Sequence, residues 1–132
     1  MMMHRTALTA TPLLMVSLLA WSGPASAQEI QRKILLQQDG PPGYQTVLTS
    51  VEIPVGVSEI RHTHPGMLVV YVIEGTLVLE TEGRPRTTYK PGDSFYVDAG
   101  KIHQGINAGT VPVRIAATLV AEKGKPLSTP AP

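Results

Sequence analysis

Two stretches decide how this chain is read: GVSEIRHTHPGMLVVYVIEG over residues 56–75 and GDSFYVDAGKIHQGIN over residues 92–107. Together they contain His62, His64 and His103, three of the four histidines in the sequence. The first stretch runs into the apolar series Leu68 to Ile73, which has the composition of a buried strand. In a β-strand successive side chains alternate between faces, so histidines at i and i+2 point the same way. A third histidine from a later strand can complete a facial metal site with that pair. Neutral imidazole is a borderline donor that suits Fe, Cu, Zn, Ni, Co or Mn without choosing among them, and three such ligands leave coordination positions open. The competing reading is a surface pair of strand histidines with no ion.

Outward from these stretches the chain reads as all-β. Thr46 to Ile53 is β-branched and stops at Pro54, and Glu74-Gly75 turns Leu68–Ile73 into Thr76–Glu80. Glu82-Gly83 leads to Thr87–Tyr89, and Pro91-Gly92-Asp93 leads to Ser94–Val97. Further strands are expected from about Ile102 to Asn107 and from Val113 to Val120. Short strands separated by Gly and Pro at near-regular spacing argue for a sandwich or barrel. No helical period with caps follows residue 28. Gly66, Gly75, Gly92 and Gly100 read as turn glycines, and Met67, Leu68, Val70, Val72, Leu77 and Leu79 as core or barrel lining.

The N-terminal 27 residues belong to a different class. One charge at Arg5 precedes an apolar run from Leu13 to Trp21, and Ala25-Ser26-Ala27 follows, the pattern of a cleaved secretory signal peptide. The run is shorter than the roughly 20 residues a spanning helix needs. The expected domains are therefore a signal peptide over 1–27, a barrel over 28–120 and a flexible C-terminal tail over 121–132. The mature chain would begin at Gln28, be periplasmic or secreted, and keep no stable membrane anchor.

Charge and composition exclude several functions. The sequence has 11 basic and 10 acidic side chains, so loss of Arg5 leaves ten of each. Basic residues gather only at Arg84 and Arg86, which argues against nucleic acid as a partner. The chain has no cysteine, so disulfides do not stabilise it, thiolate cannot hold a metal, and cysteine nucleophiles are ruled out.

The spacing of the two stretches resembles the cupin superfamily. Its first motif is G-x5-H-x-H-x3-4-E-x6-G and its second is G-x5-P-x-G-x2-H-x3-N. Gly56, His62, His64 and Gly75 fit the first; Gly92, Gly100, His103 and Asn107 fit the second. The resemblance spans residues 56–107 and implies a small double-stranded β-helix, or jelly-roll, barrel. It implies His62, His64 and His103 as ligands of one divalent transition metal ion. Leu68 stands where the family has its glutamate, and Asp98 stands where it has its proline.

The missing glutamate has a chemical consequence. A dication on three neutral ligands keeps its full charge, acts as a stronger Lewis acid, and holds hydroxide or an anionic ligand more readily. Neither Glu74 nor Glu59 is expected to substitute. Glu74 lies roughly 20 Å along the strand from Leu68 at about 3.3 Å per residue, and Glu59 has the opposite parity to His62. Asp98 reads as a turn residue. Tyr71, Phe95 and Tyr96 read as packing aromatics, and Leu68 and Val70 as lining of a pocket for one small molecule.

Two functions remain open. One is a non-haem metal-dependent oxygenase, a dioxygenase by resemblance, acting on a small organic molecule. The other is a non-catalytic periplasmic protein that binds a metal or small ligand. No residue reads as catalytic in its own right. Free sheet edges give a physical motive for a homodimer, and small cupins commonly pair this way.

Overall fold

Alternation decides which side of each strand is dry. In Val113–Glu122 every second residue from Val113 to Ala121 is buried, and the residues between are exposed or half-buried. This is β9 of ten strands in the computed structural model, which describes residues 28–132. The others are β1 (Gln31–Asp39), β2 (Tyr44–Ile53), β3 (His62–Thr63), β4 (Gly66–Glu74), β5 (Leu77–Thr81), β6 (Thr87–Tyr89), β7 (Ser94–Val97), β8 (His103–Ile106) and β10 (Thr129–Pro130). The expected signal peptide lies outside the described residues. No helix among them is long and apolar enough to cross a membrane.

The strands form two five-stranded antiparallel sheets, ordered β1-β2-β9-β4-β7 and β10-β3-β8-β5-β6, as expected for a jelly-roll barrel. Register carries one apolar row across the first sheet. Val51 lies opposite Ile115 and Ile115 opposite Val72; Val70 lies between Ala117 and Phe95. These residues meet Leu77 of the second sheet in the core. Each fully buried aliphatic side chain contributes roughly 1.5–3 kcal/mol of hydrophobic stabilisation. Among the residues expected as core, Val70, Val72, Leu77 and Leu79 are buried, whereas Met67 is exposed. Its odd position on β4 turns it to the outer face, as it does Val69, Tyr71 and Ile73. Tyr71 and Tyr96 are surface residues, while Phe95 packs against Tyr89 with ring centroids 4.4 Å apart.

Two glycines differ in their reasons. Gly75 has φ +73°, and a Cβ there would lie 2.5 Å from the Pro112 carbonyl oxygen, so both turn and packing require glycine. Gly66 is not a turn residue. It opens β4 opposite Ala121, where a Cβ would overlap the Val120 carbonyl.

The C-terminal segment corrects the expectation of a loose tail over 121–132. β9 continues to Glu122, and β10 pairs with β3 through Thr129–Thr63 and Pro130–His62. Backbone hydrogen bonding captures this segment despite its polar, proline-rich composition. β1 was likewise invisible to pattern reading. Its sequence QRKILLQQD does not alternate, all nine residues are exposed, and among the described residues β2 alone pairs with it.

Asn107, the last residue of the second motif, is fully buried and ties three segments together. Its Nδ2 donates to the carbonyls of Ile53 and Val111, each at 2.9 Å, and its Oδ1 accepts from Gly109 N–H at 3.0 Å. Its side chain is a structural brace. Replacing Asn107 by Ala should lower unfolding stability by about 2–4 kcal/mol, since buried carbonyls and an amide lose their partners. Urea denaturation measures the loss, and a change within 0.5 kcal/mol, roughly that of an ordinary surface substitution, would refute the brace.

Candidate metal centre

β3 and β8 bring the histidines together. His62 lies directly opposite His103 in the ladder, and His64 follows two residues after His62. The His64 carbonyl accepts the Gly100 N–H at 2.9 Å, which anchors the loop before β8 against the first motif. The ring centroids of His62 and His103 are 4.3 Å apart, those of His62 and His64 4.8 Å, and those of His64 and His103 5.1 Å. One ring nitrogen from each residue lies within 4.8 Å of the others.

The Nδ1 atoms are all engaged by backbone carbonyls. His62 pairs with Ile60 O at 2.7 Å, His64 with Leu127 O at 2.7 Å and His103 with Lys101 O at 3.0 Å. Because a carbonyl only accepts, each Nδ1 carries a proton, and in the neutral ring Nε2 then keeps a free lone pair. Metal-bound histidines use this same backing to hold tautomer and ring angle. The donor set therefore fits one divalent transition ion.

Burial favours the neutral form of His103 and His64. His103 is pushed down to about 4 from 6.5, chiefly by desolvation, with repulsion from His62 and His64 adding to it against the Lys101 hydrogen bond. His64 is also lowered, again first by burial, although its bond to Leu127 opposes the shift.

The triad opens on a cavity of about 570 Å³. Leu68 and Val70 both line it, with Leu77, Phe95 and Leu119 among the other apolar walls. Asp98 does not reach it and instead pairs with Arg84 at 2.8 Å on the surface. Glu74 is also elsewhere, paired with Arg114 at 3.2 Å. Gln104 alternates outward from His103 and bonds Glu80 at 2.6 Å.

Glu59 corrects the parity argument that set it aside. Residues 54–61 are not a continuous strand, so strand parity does not apply to them. Glu59 N–H donates to Gly105 O at 2.8 Å, which lays this segment along β8. Its carboxylate lines the histidine cavity, accepting from Gly105 N–H at 3.0 Å and from Arg32 at 2.7 Å. A Cβ on Gly105 would meet Glu59 Oε2 at 2.8 Å, so glycine makes the niche for the carboxylate. That glycine, two residues after His103, was the available sequence signal.

Residues 49–121 match the cupin domain family. A protein with a double-stranded β-helix domain from Klebsiella pneumoniae is similar in structure, with TM-score 0.65 and 23% identity over 82% of this chain and 89% of that one. A cupin superfamily protein from Desulfitobacterium hafniense has TM-score 0.62 and 17% identity, covering 74% and 83%. A DMSP lyase from Ruegeria pomeroyi has TM-score 0.65 and 20% identity, covering 77% of this chain and 51% of that one. No curated protein sequence matches. At these identities the likeness is one of fold.

The depressed pKa values set an acid dependence of stability. An unfolded imidazole binds its proton near pH 6.5, whereas folded His103 resists protonation down to about 4. The contribution of His103 to stability is therefore full above about pH 6.5 and should decline as pH falls towards 4, by on the order of 2 kcal/mol. Metal-free protein should show this in thermal unfolding between pH 7 and 4.5, and His103→Gln should flatten the slope. An unchanged slope in that variant would exclude His103 as its source.

Proposed function

Since the chain belongs to the cupin family, we propose that it is an exported metal-binding barrel acting on a small organic molecule as a metal-dependent oxygenase. The observation that carries this reading is three imidazoles, each backed at Nδ1, facing one largely apolar cavity. A divalent ion held by His62, His64 and His103 would supply Lewis-acid and redox chemistry at the positions these ligands leave free. Leu68, Val70 and Phe95 would bind and orient an apolar ligand body and exclude water. Low local dielectric strengthens every charge interaction there. Glu59 is the carboxylate of the cavity wall and would accept a hydrogen bond from a bound ligand.

One observation favours the second reading, a periplasmic protein that captures a metal or small ligand without turnover. Both Glu59 oxygens already have partners, Arg32 and Gly105, so its carboxylate is held as a fixed charge rather than a free base. Elemental analysis of protein from its own compartment should find one transition metal per chain. His62→Ala and His103→Ala should each lose it. Oxygen uptake with small carboxylates and phenols then separates the readings: consumption supports the oxygenase, whereas saturable binding without consumption supports capture. Protein free of metal, and unable to take it up, would sink both.

Export and pairing complete the proposal. The sequence pattern of residues 1–27 supports cleavage before Gln28. The outer edge of the first sheet is β1, where Ile34, Leu35 and Leu36 are 52%, 53% and 53% exposed, which supports a homodimer. Native mass spectrometry of the exported protein should give two copies of a chain starting at Gln28. A chain retaining Met1 refutes cleavage, and a monomer at micromolar concentration refutes pairing.

A further inference from the structure

We propose that the C-terminal segment from Pro126 to Ala131 is part of the metal centre, with the Leu127 main-chain carbonyl as the positioning group for His64. The inference rests on the reading of the three histidines as a metal site. His62 and His103 take their Nδ1 partners from two residues earlier in the chain, Ile60 and Lys101, so those contacts form with the local backbone. His64 has no such local support. Its partner is 63 residues away, and the 2.7 Å bond exists only when the C-terminal segment is in place.

The segment is attached to the element it supports. Thr129 and Pro130 pair with Thr63 and His62, and Ala131 N–H donates to Arg61 O at 2.9 Å. β3 is only two residues long, and its other neighbour is β8 through the single His62–His103 pair. β10 therefore covers what would be a bare edge beside two of the three histidines. Leu127 and Ser128 also line the cavity, so the same segment forms part of its wall.

Removing a carbonyl behind a ligand imidazole frees both tautomer and ring angle, and outer partners of this kind are worth roughly 10–100-fold in metal affinity. The core cluster contains no residue beyond Ala117, so loss of the segment should weaken metal retention without removing the core. Metal retention and global stability should thus depend on different parts of the chain.

The test compares the full chain with one ending at Lys125 and with Leu127→Ala, which keeps the carbonyl. Nitrogen-15 NMR of the metal-free proteins reads each histidine tautomer, Co²⁺ titration reads affinity, and circular dichroism reads the fold. In the shortened chain His64 should lose its fixed Nδ1–H tautomer while His62 and His103 keep theirs. Its Co²⁺ affinity should fall roughly 10–100-fold. Leu127→Ala should stay near the full chain in both readouts. An unchanged His64 tautomer in the shortened chain overturns the proposal, as does an equal loss in Leu127→Ala, which would trace the effect to side-chain packing. If the shortened chain does not fold, an ester in place of the Leu127–Ser128 amide weakens the carbonyl as an acceptor and keeps every side chain. Unchanged affinity in that variant also overturns the proposal. Should the full chain bind no Co²⁺, the metal reading fails by itself, and the tautomer comparison still decides the positioning role.

Discussion

Pairing of β9 with β2 on one side and β4 on the other is the constraint from which the rest of the barrel hangs. Ten consecutive residues, Tyr44 to Ile53, pair with Glu122 to Val113, and β4 takes the other edge from Gly66 to Glu74. Because side chains alternate, this one register sets Val47, Val51, Val70, Val72, Ile115 and Leu119 on a common inner face. A slip of one residue would turn the whole row to solvent. Gly66 and Gly75 bracket β4 at the two places where the neighbouring backbone comes too close for a side chain.

The second sheet is built differently, from strands of two to five residues, and it carries the histidines. Short strands contribute little stability of their own, so the candidate site is held from outside by specific contacts. Gly100 fastens the His64 backbone, Asn107 braces the end of β8, and Leu127 backs the His64 ring. Each contact places a group that a long strand would have placed by register alone. The long-stranded sheet supplies stability, and the short-stranded one supplies geometry.

Charge in the cavity follows from its walls. Desolvation keeps His64 and His103 neutral, the state in which imidazole can donate a lone pair. Glu59 and Arg32 neutralise each other at 2.7 Å. A dication entering between the three rings would therefore meet little opposing or compensating charge. The glutamate position of the first motif, taken by Leu68, presents only hydrocarbon.

Much was legible in the sequence because strand alternation and turn chemistry are local. The strands around Thr46–Ile53, Leu68–Ile73, Thr87–Tyr89 and Ser94–Val97 follow from β-branched runs bounded by Gly and Pro, and the histidine spacing from two motifs of fixed length. Glu59 was missed because parity holds only inside a strand, and residues 54–61 are irregular. β1 and β10 were missed because backbone pairing leaves no signature in a segment whose side chains stay exposed. By itself the sequence determined an all-β barrel and which three imidazoles could meet, since both depend on residue type and short spacing. Only the tertiary structure decided that Glu59 enters the cavity, that Asp98 stays outside, and that Leu127 backs His64. Those placements arise from contacts between segments up to 63 residues apart, for which the linear chain carries no periodic signal.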